Sequence, residues 1–128
     1  MKVTELMTGN LVFYMDGEKP VPVVVKKIDG NCNVVCLRQS DGHMFNAMID
    51  ALLPIPLSTE ILEKNGFEKD KKLYQFCDDR ILLTYWVEDN YLEVQNLKKE
   101  NGVDIYCPFV HRLQNAICLC EIDKEIIL

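Results

Sequence analysis

Three Asp-Gly pairs punctuate the first third of the chain: Asp16-Gly17, Asp29-Gly30 and Asp41-Gly42. Asp-Gly favours tight hairpin turns, because both central positions of such turns take positive φ and these two residues accept it. Only short strands fit between them. The candidates are Leu11 to Met15, Val21 to Ile28, Asn33 to Arg38 and a stretch around His43 to Asn46, with Ile49 to Leu53 as a helical turn or last strand. The expectation is a small, strongly curved antiparallel β-barrel of SH3-like type over residues 1–57. Pro20 and Pro22 lack an N–H, so the start of the second strand should lie at a sheet edge.

Pro54 and Pro56 then enforce an extended connector, because each biases the residue before it away from helix. A helix can start only after Pro56. Ser58 is placed to cap it, Glu60 and Glu63 sit near its positive end, and Leu57, Ile61 and Leu62 form an apolar stripe. Gly66 fits the left-handed residue that stops a helix, with Phe67 folding back onto Leu62. This linker helix should lead into a four-stranded antiparallel meander: Leu73 to Cys77, Ile81 to Val87, Tyr91 to Leu97 and Val103 to Cys107. Its turns would fall at Asp78-Asp79, Asp89-Asn90 and Asn101-Gly102.

Pro108 suits the first turn of a last helix. Phe109, Leu113, Ala116, Ile117 and Cys120 recur at helical spacing and should pack that helix on the meander. The closing IDKEIIL reads as an edge strand or a helix extension. The fold class expected is therefore α+β, with an SH3-like barrel (1–57) and a helix-meander-helix region (58–128) in a single compact domain spanning 1–128. An apolar fraction of 48% in 128 residues is enough to build such a core.

Charge restricts the partners. Lys and Arg total 14 against 20 Asp and Glu, a net charge of -6. Dividing at Leu57 leaves 5 basic and 6 acidic residues before it and 9 and 14 after it. Nucleic-acid binding draws most of its affinity from neutralised phosphates, so this balance disfavours it. The first residues carry charge and lack an apolar core of signal-peptide length, and no apolar run approaches the ~20 residues of a membrane helix. The expected location is cytoplasmic, with no membrane partner and with the six cysteines reduced.

Residue spacing argues against metal and nucleophile chemistry. Cys32-x3-Cys36 and Cys107-x3-His111 offer four nominal ligands. On an extended strand, however, Cys32 and Cys36 would lie about 13 Å apart at ~3.3 Å per residue, too far to share an ion. A Cys/His nucleophile would have to use His43 or His111, and His111, Asn115 and Cys118 on one helix face diverge rather than converge. No phosphate loop or other catalytic motif is present. The expected sets of catalytic, cofactor-binding and metal-ligating residues are therefore empty. What remains is a polar helix side opposite the apolar stripe, where His111, Gln114 and Asn115 form a possible partner-binding face.

Two segments, PIPLSTEILEKNGFEK at Pro54 to Lys69 and HRLQN at His111 to Asn115, together with ELMTGNLV near the start, resemble a family of small uncharacterised proteins from gut bacteria and their phages and mobile elements. Members of that family commonly continue the last helix with an aromatic-rich run and a Thr-Gly stop, whereas this chain has Ile117-Cys118-Leu119-Cys120-Glu121. The resemblance carries over no catalytic residue. Together with the acidic balance and the absence of a catalytic constellation, it leads to the expectation of a non-enzymatic cytoplasmic interaction or accessory protein of phage or mobile-element type that binds an unidentified protein partner. A nucleic-acid-associated small-barrel module and a Cys/His-dependent enzyme are the alternatives.

Overall fold

The computed structural model describes residues 5–30 and 32–128. The charged start of the chain, read above against a signal peptide, includes positions 1–4, which lie outside the described residues. The chain divides into two compact units, Met1–Ile55 and Pro56–Leu128.

In the first unit, strands β1 (Leu11–Asp16), β2 (Lys19–Ile28), β3 (Asn33–Arg38) and β4 (Met44–Met48) follow one another through the three Asp-Gly turns. A 3₁₀ turn at Ile49–Ala51 then leads into the two-residue β5 (Leu52–Leu53). The sheet is antiparallel throughout, in the order β4-β3-β2-β1-β5. Val12, Val23, Val25, Val34, Cys36 and Leu52 are fully covered on its inner face. The sheet curls strongly enough that Tyr14 of β1 and Phe45 of β4, with β2 and β3 between them in the sheet, meet edge to face at 4.8 Å.

This is not the closed SH3-like barrel expected. β4 and β5 are the two edges, and they do not pair with each other. β5 offers only two residues, both used on β1, and Pro54 follows at once with no N–H to donate. Pro20 and Pro22 lie inside β2, yet β3 pairs with β2 only from Val23 onward, so the proline stretch is a local edge.

In the second unit the helix α1 (Thr59–Lys64) is capped by Ser58, whose Oγ accepts from the Ile61 N–H at 3.2 Å. Gly66, at φ +87°, ends it: the Gly66 N–H donates to the Glu63 carbonyl and the Phe67 N–H to the Leu62 carbonyl, the paired bonds of a Schellman stop. Five strands follow, β6 (Glu68–Asp70), β7 (Leu73–Cys77), β8 (Ile81–Trp86), β9 (Tyr91–Asn96) and β10 (Asn101–Tyr106), in the sheet order β10-β9-β8-β7-β6. The last helix, α2, spans Val110–Leu119.

The α+β description and its four-stranded meander are thus corrected. The protein is mostly β, with two antiparallel five-stranded sheets and two α-helices among the described residues. β6 has three exposed, charged residues and therefore no apolar periodicity to announce it. Asn101-Gly102 is not a turn. The turn is made one step earlier, where Asn96 Oδ1 accepts from the Lys98 and Lys99 N–H groups and Glu100 takes φ +56°. Gly102 stands in β10 because a Cβ there would come within 2.7 Å of the Val94 carbonyl oxygen. Pro108 precedes α2 instead of opening it: its carbonyl accepts the Leu57 N–H at 2.9 Å, and Phe109 bridges to Pro56.

Two polar clasps complete this unit. The Tyr85 hydroxyl, on a side chain 1% exposed, lies 2.9 Å from Asn90 Oδ1 and 3.0 Å from the Cys107 carbonyl oxygen, tying the β8–β9 turn to the segment that leads into α2. Asn65 pairs with the main chain of Ile127 in both directions, donating from Nδ2 to the carbonyl and accepting from the N–H, each at 2.8 Å. Its Nδ2 also donates to the Ile61 carbonyl at 2.8 Å. The closing IDKEIIL is therefore neither strand nor helix. It is an irregular segment held by this amide and by burial of Ile122 and Ile126.

Candidate functional site

The sequence pointed first to α2. His111 is 2% exposed, and its ring stacks on Phe109 with centroids 5.8 Å apart and planes 10° from parallel. Gln114 and Asn115 are half-buried, while Arg112, Cys118 and Leu119 are exposed. The reading of His111 on a polar side opposite the apolar stripe is corrected: it belongs with Val110, Leu113, Ala116 and Ile117 among the buried residues of the helix. A neutral imidazole can pack as a flat ring, and helical spacing alone does not separate that use from a surface one.

The first sheet presents the more informative surface. Antiparallel sheets commonly bury one face and show water a polar one. Here much of the face opposite the core is also apolar, with Lys27, Asn33 and Asn46 as its polar members. Cross-strand register places Phe13 against Pro22 and Leu53, Val24 against Leu11 and Leu37, and Leu37 against Met44. Met44, Met48 and Leu53 are exposed by 56%, 61% and 43%. β4 closes this face as an edge strand and carries no Lys, Pro or bulge to blunt pairing, devices that edge strands usually employ. The signal was in the sequence: LVFYM, VPVVV and VVCL are continuous apolar runs, not the alternation of a one-sided strand.

The second sheet has a different outer face. Trp86, Tyr91 and Tyr106 are opposite one another on three adjacent strands, and Thr84, Glu93 and Asp104 form the neighbouring row. The Trp86 and Tyr91 rings lie 5.8 Å apart. Carboxylates raise the Tyr91 phenol, which burial raises first, because the Asp104 side chain accepts its hydroxyl and Glu93 adds negative charge.

A cleft of about 440 Å³ opens between the Asp78–Ile81 turn and Ile122, lined by Lys98, Lys99 and Glu121. Lys99 pairs there with Glu121 at 2.7 Å, and Asp78 accepts from the backbone Arg80 and Ile81 N–H groups, which lowers its carboxyl pKa. Among the described residues no group of three or more His, Cys, Asp or Glu is arranged to hold a metal ion.

All six cysteines are free, with Cys36, Cys107 and Cys120 buried and Cys32, Cys77 and Cys118 exposed. Burial pushes the Cys36 thiol up to about 11 and the Cys107 thiol up to about 12, the latter against a lowering pull from Arg112, and it also raises Cys120. Thiolate is the reacting form, so these three should be inert in the folded state. Iodoacetamide at pH 7.5 with peptide mass spectrometry should label Cys32, Cys77 and Cys118 first and the buried three only on unfolding. Rapid labelling of Cys107 in the folded protein would contradict this and favour the Cys/His-dependent alternative.

Fold and surfaces together define a two-unit, mostly β protein with one apolar and one aromatic-acidic sheet face. The chain matches no family model and no solved structure. It is similar to the UDP-N-acetylmuramoylalanine--D-glutamate ligase of Lactobacillus helveticus (strain DPC 4571), with 31% identity over 97 residues, 76% of this chain. Those residues span only 19% of that ligase. No helix among the described residues is long and apolar enough to cross a membrane.

Proposed function

We propose that this protein is a non-enzymatic interaction or accessory protein of phage or mobile-element type, which docks a protein partner on its first sheet. The observation that carries the reading is the second apolar face of that sheet, running from Phe13 and Val24 to the exposed Met44 and Met48 on the free edge β4. Exposed apolar surface beside unpaired strand groups is what an added strand or an apolar partner surface would cover. Methionine side chains suit such a face because they repack around different shapes. The phage or mobile-element setting rests on the PIPLSTEILEKNGFEK and HRLQN resemblance. Six free thiols favour a reducing compartment and hence the cytoplasm.

The similarity to a fifth-length piece of a ligase supports common ancestry of a module better than a shared reaction, since the chain matches too little of that enzyme to carry its activity across. The test is affinity capture from a bacterial lysate with the wild-type protein and with the M44E/M48E variant, followed by quantitative mass spectrometry. A partner captured by wild type and depleted at least tenfold with the variant is the expected result. Indistinguishable captured sets would end the proposal. Binding to single-stranded RNA or DNA that weakens steeply with salt would instead favour the nucleic-acid alternative.

A further inference from the structure

The outer face of the second sheet combines two features that point to one kind of ligand. First, its charge is of a single sign. Register assigns Glu68 and Asp70 of β6, Glu93 of β9 and Asp104 of β10 to the face opposite the core, and no Lys or Arg of the five strands shares it. Glu93 and Asp104 stand directly opposite each other across β9 and β10. Like charges in that position repel, and although Gln95 donates to Glu93 and Tyr91 to Asp104, both of those donors are neutral, so the negative charge stays for a bound cation to offset. The nearby Lys72 is drawn instead to Glu88, at 3.8 Å.

Second, the adjoining row is aromatic. Trp86, Tyr91 and Tyr106 form a continuous line across β8, β9 and β10, with Tyr91 39% and Tyr106 53% exposed. Burying these rings in the core would explain them, but they lie on the opposite face from Leu83, Leu92 and Val94. The faces of aromatic rings attract cations, guanidinium most of all, and a row two residues away along the strand lies about 7 Å off, within the length of one Arg or Lys side chain.

We propose that this face docks a cationic peptide segment, whose Arg or Lys side chains lie over Tyr91 and Tyr106 and direct their charged ends to Glu93 and Asp104. Arginine is preferred over lysine because its planar fork both stacks on a ring and pairs with a carboxylate. The surface belongs to a different sheet and has a different chemistry from the apolar face of the first sheet, so either proposal can fail without the other.

The test uses the protein's single tryptophan, Trp86, as the reporter. Tetra-arginine amide is titrated at 50 mM salt against the whole protein, with tetra-glutamine amide as the neutral probe. Tetra-arginine should shift Trp86 emission saturably and tetra-glutamine should not. The E93Q/D104N variant should weaken binding about tenfold and Y106A about threefold, in line with a charge-assisted pair and an exposed cation–π contact. The E121Q/D123N variant removes the same charge elsewhere and should bind within twofold of wild type. Thermal melts control for folding, and E93Q/D104N should melt no lower than wild type because it relieves repulsion. Equal weakening by both double variants would reduce the effect to net charge and overturn the proposal, as would no saturable shift. Free arginine amide binding as tightly as the tetrapeptide would overturn the peptide assignment in favour of a small cation.

Discussion

Tyr85→Ala should destabilise the folded protein by about 3–5 kcal/mol, the range for removing a large buried aromatic, and Tyr85→Phe by about 1–3 kcal/mol. Among the described residues Tyr85 is the largest fully buried side chain. The alanine variant opens a cavity beneath β8, whereas the phenylalanine variant keeps the ring and strips the proton that serves Asn90 and the Cys107 carbonyl. Against a total stability of about 5–15 kcal/mol for a chain of this kind, the first change is enough to leave much of the population unfolded under mild denaturant. Urea titration followed by circular dichroism reads both values. If the phenylalanine variant matches wild type, the hydroxyl clasp contributes nothing and the assignment of its role is wrong.

The same residue links stability to alkaline pH. Burial raises the Tyr85 phenol above its ordinary value of 10.0, as it raises Cys36 and Cys107 above 9.0. A group whose folded pKa lies above its unfolded one favours folding while it stays neutral. That contribution is complete below the unfolded pKa and lost as pH climbs through the folded one. Stability should therefore hold to about pH 9 and decline above it. Tyr85→Phe should flatten only the part of the decline above pH 10, leaving the thiol part in place.

Asn65→Ala should cost about 2–3 kcal/mol, because three hydrogen bonds of a buried amide are lost together and the Ile127 main-chain groups lose their protein partner. The loss should be local before it is global. Hydrogen exchange at the Ile127 amide should rise about 30-fold or more in the variant at denaturant concentrations where the sheet amides are unchanged. Asn65→Asp is the sharper comparison, since it keeps an acceptor for the Ile127 N–H but presents a carboxylate to two carbonyl oxygens. It should be at least as damaging as alanine at neutral pH. Unchanged exchange at Ile127 in both variants would show that burial of Ile122 and Ile126 alone holds the segment.

Local chemistry was readable wherever a short stretch of sequence decides the backbone. Asp-Gly pairs, the Ser58 cap and the Gly66 stop each act within a few residues, and the turns, helix start and helix stop fall where those residues are. The misses all depend on which groups the folded chain brings face to face, which residue type and spacing do not show. Gly102 reads as half of an Asn-Gly turn until the Val94 carbonyl is known to face it. His111 reads as polar surface until Phe109 is known to stack on it. β6 has no signal of its own and exists because β7 offers it an edge. Closure of the first sheet into a barrel could not be judged from strand count, because it turns on whether two residues of β5 suffice to bridge the gap.

Of the surface, the aromatic row and the acidic row were each present as residue types but not as rows. Trp86, Tyr91 and Tyr106 are separated by turns whose lengths fix their register, and that register is a property of the paired strands. The apolar outer face of the first sheet was more accessible. Runs such as VPVVV already lack the alternation of a strand with one wet side.

The order of strand pairing also sets the two units apart in how they can be assembled. Each pairing in the second sheet joins consecutive strands, so hairpins can zip on one after another with only short loops to close. In the first sheet the last pairing reaches back from Leu52 to Tyr14, and β1 must wait for it with one edge bare through the formation of β2, β3 and β4. That edge belongs to LVFYM, the sort of segment that neighbouring chains can add to while it is uncovered. Among the described residues it is the two of β5 that later pair with it, which makes Leu52 and Leu53 guardians of the chain's passage through synthesis as much as parts of its finished sheet.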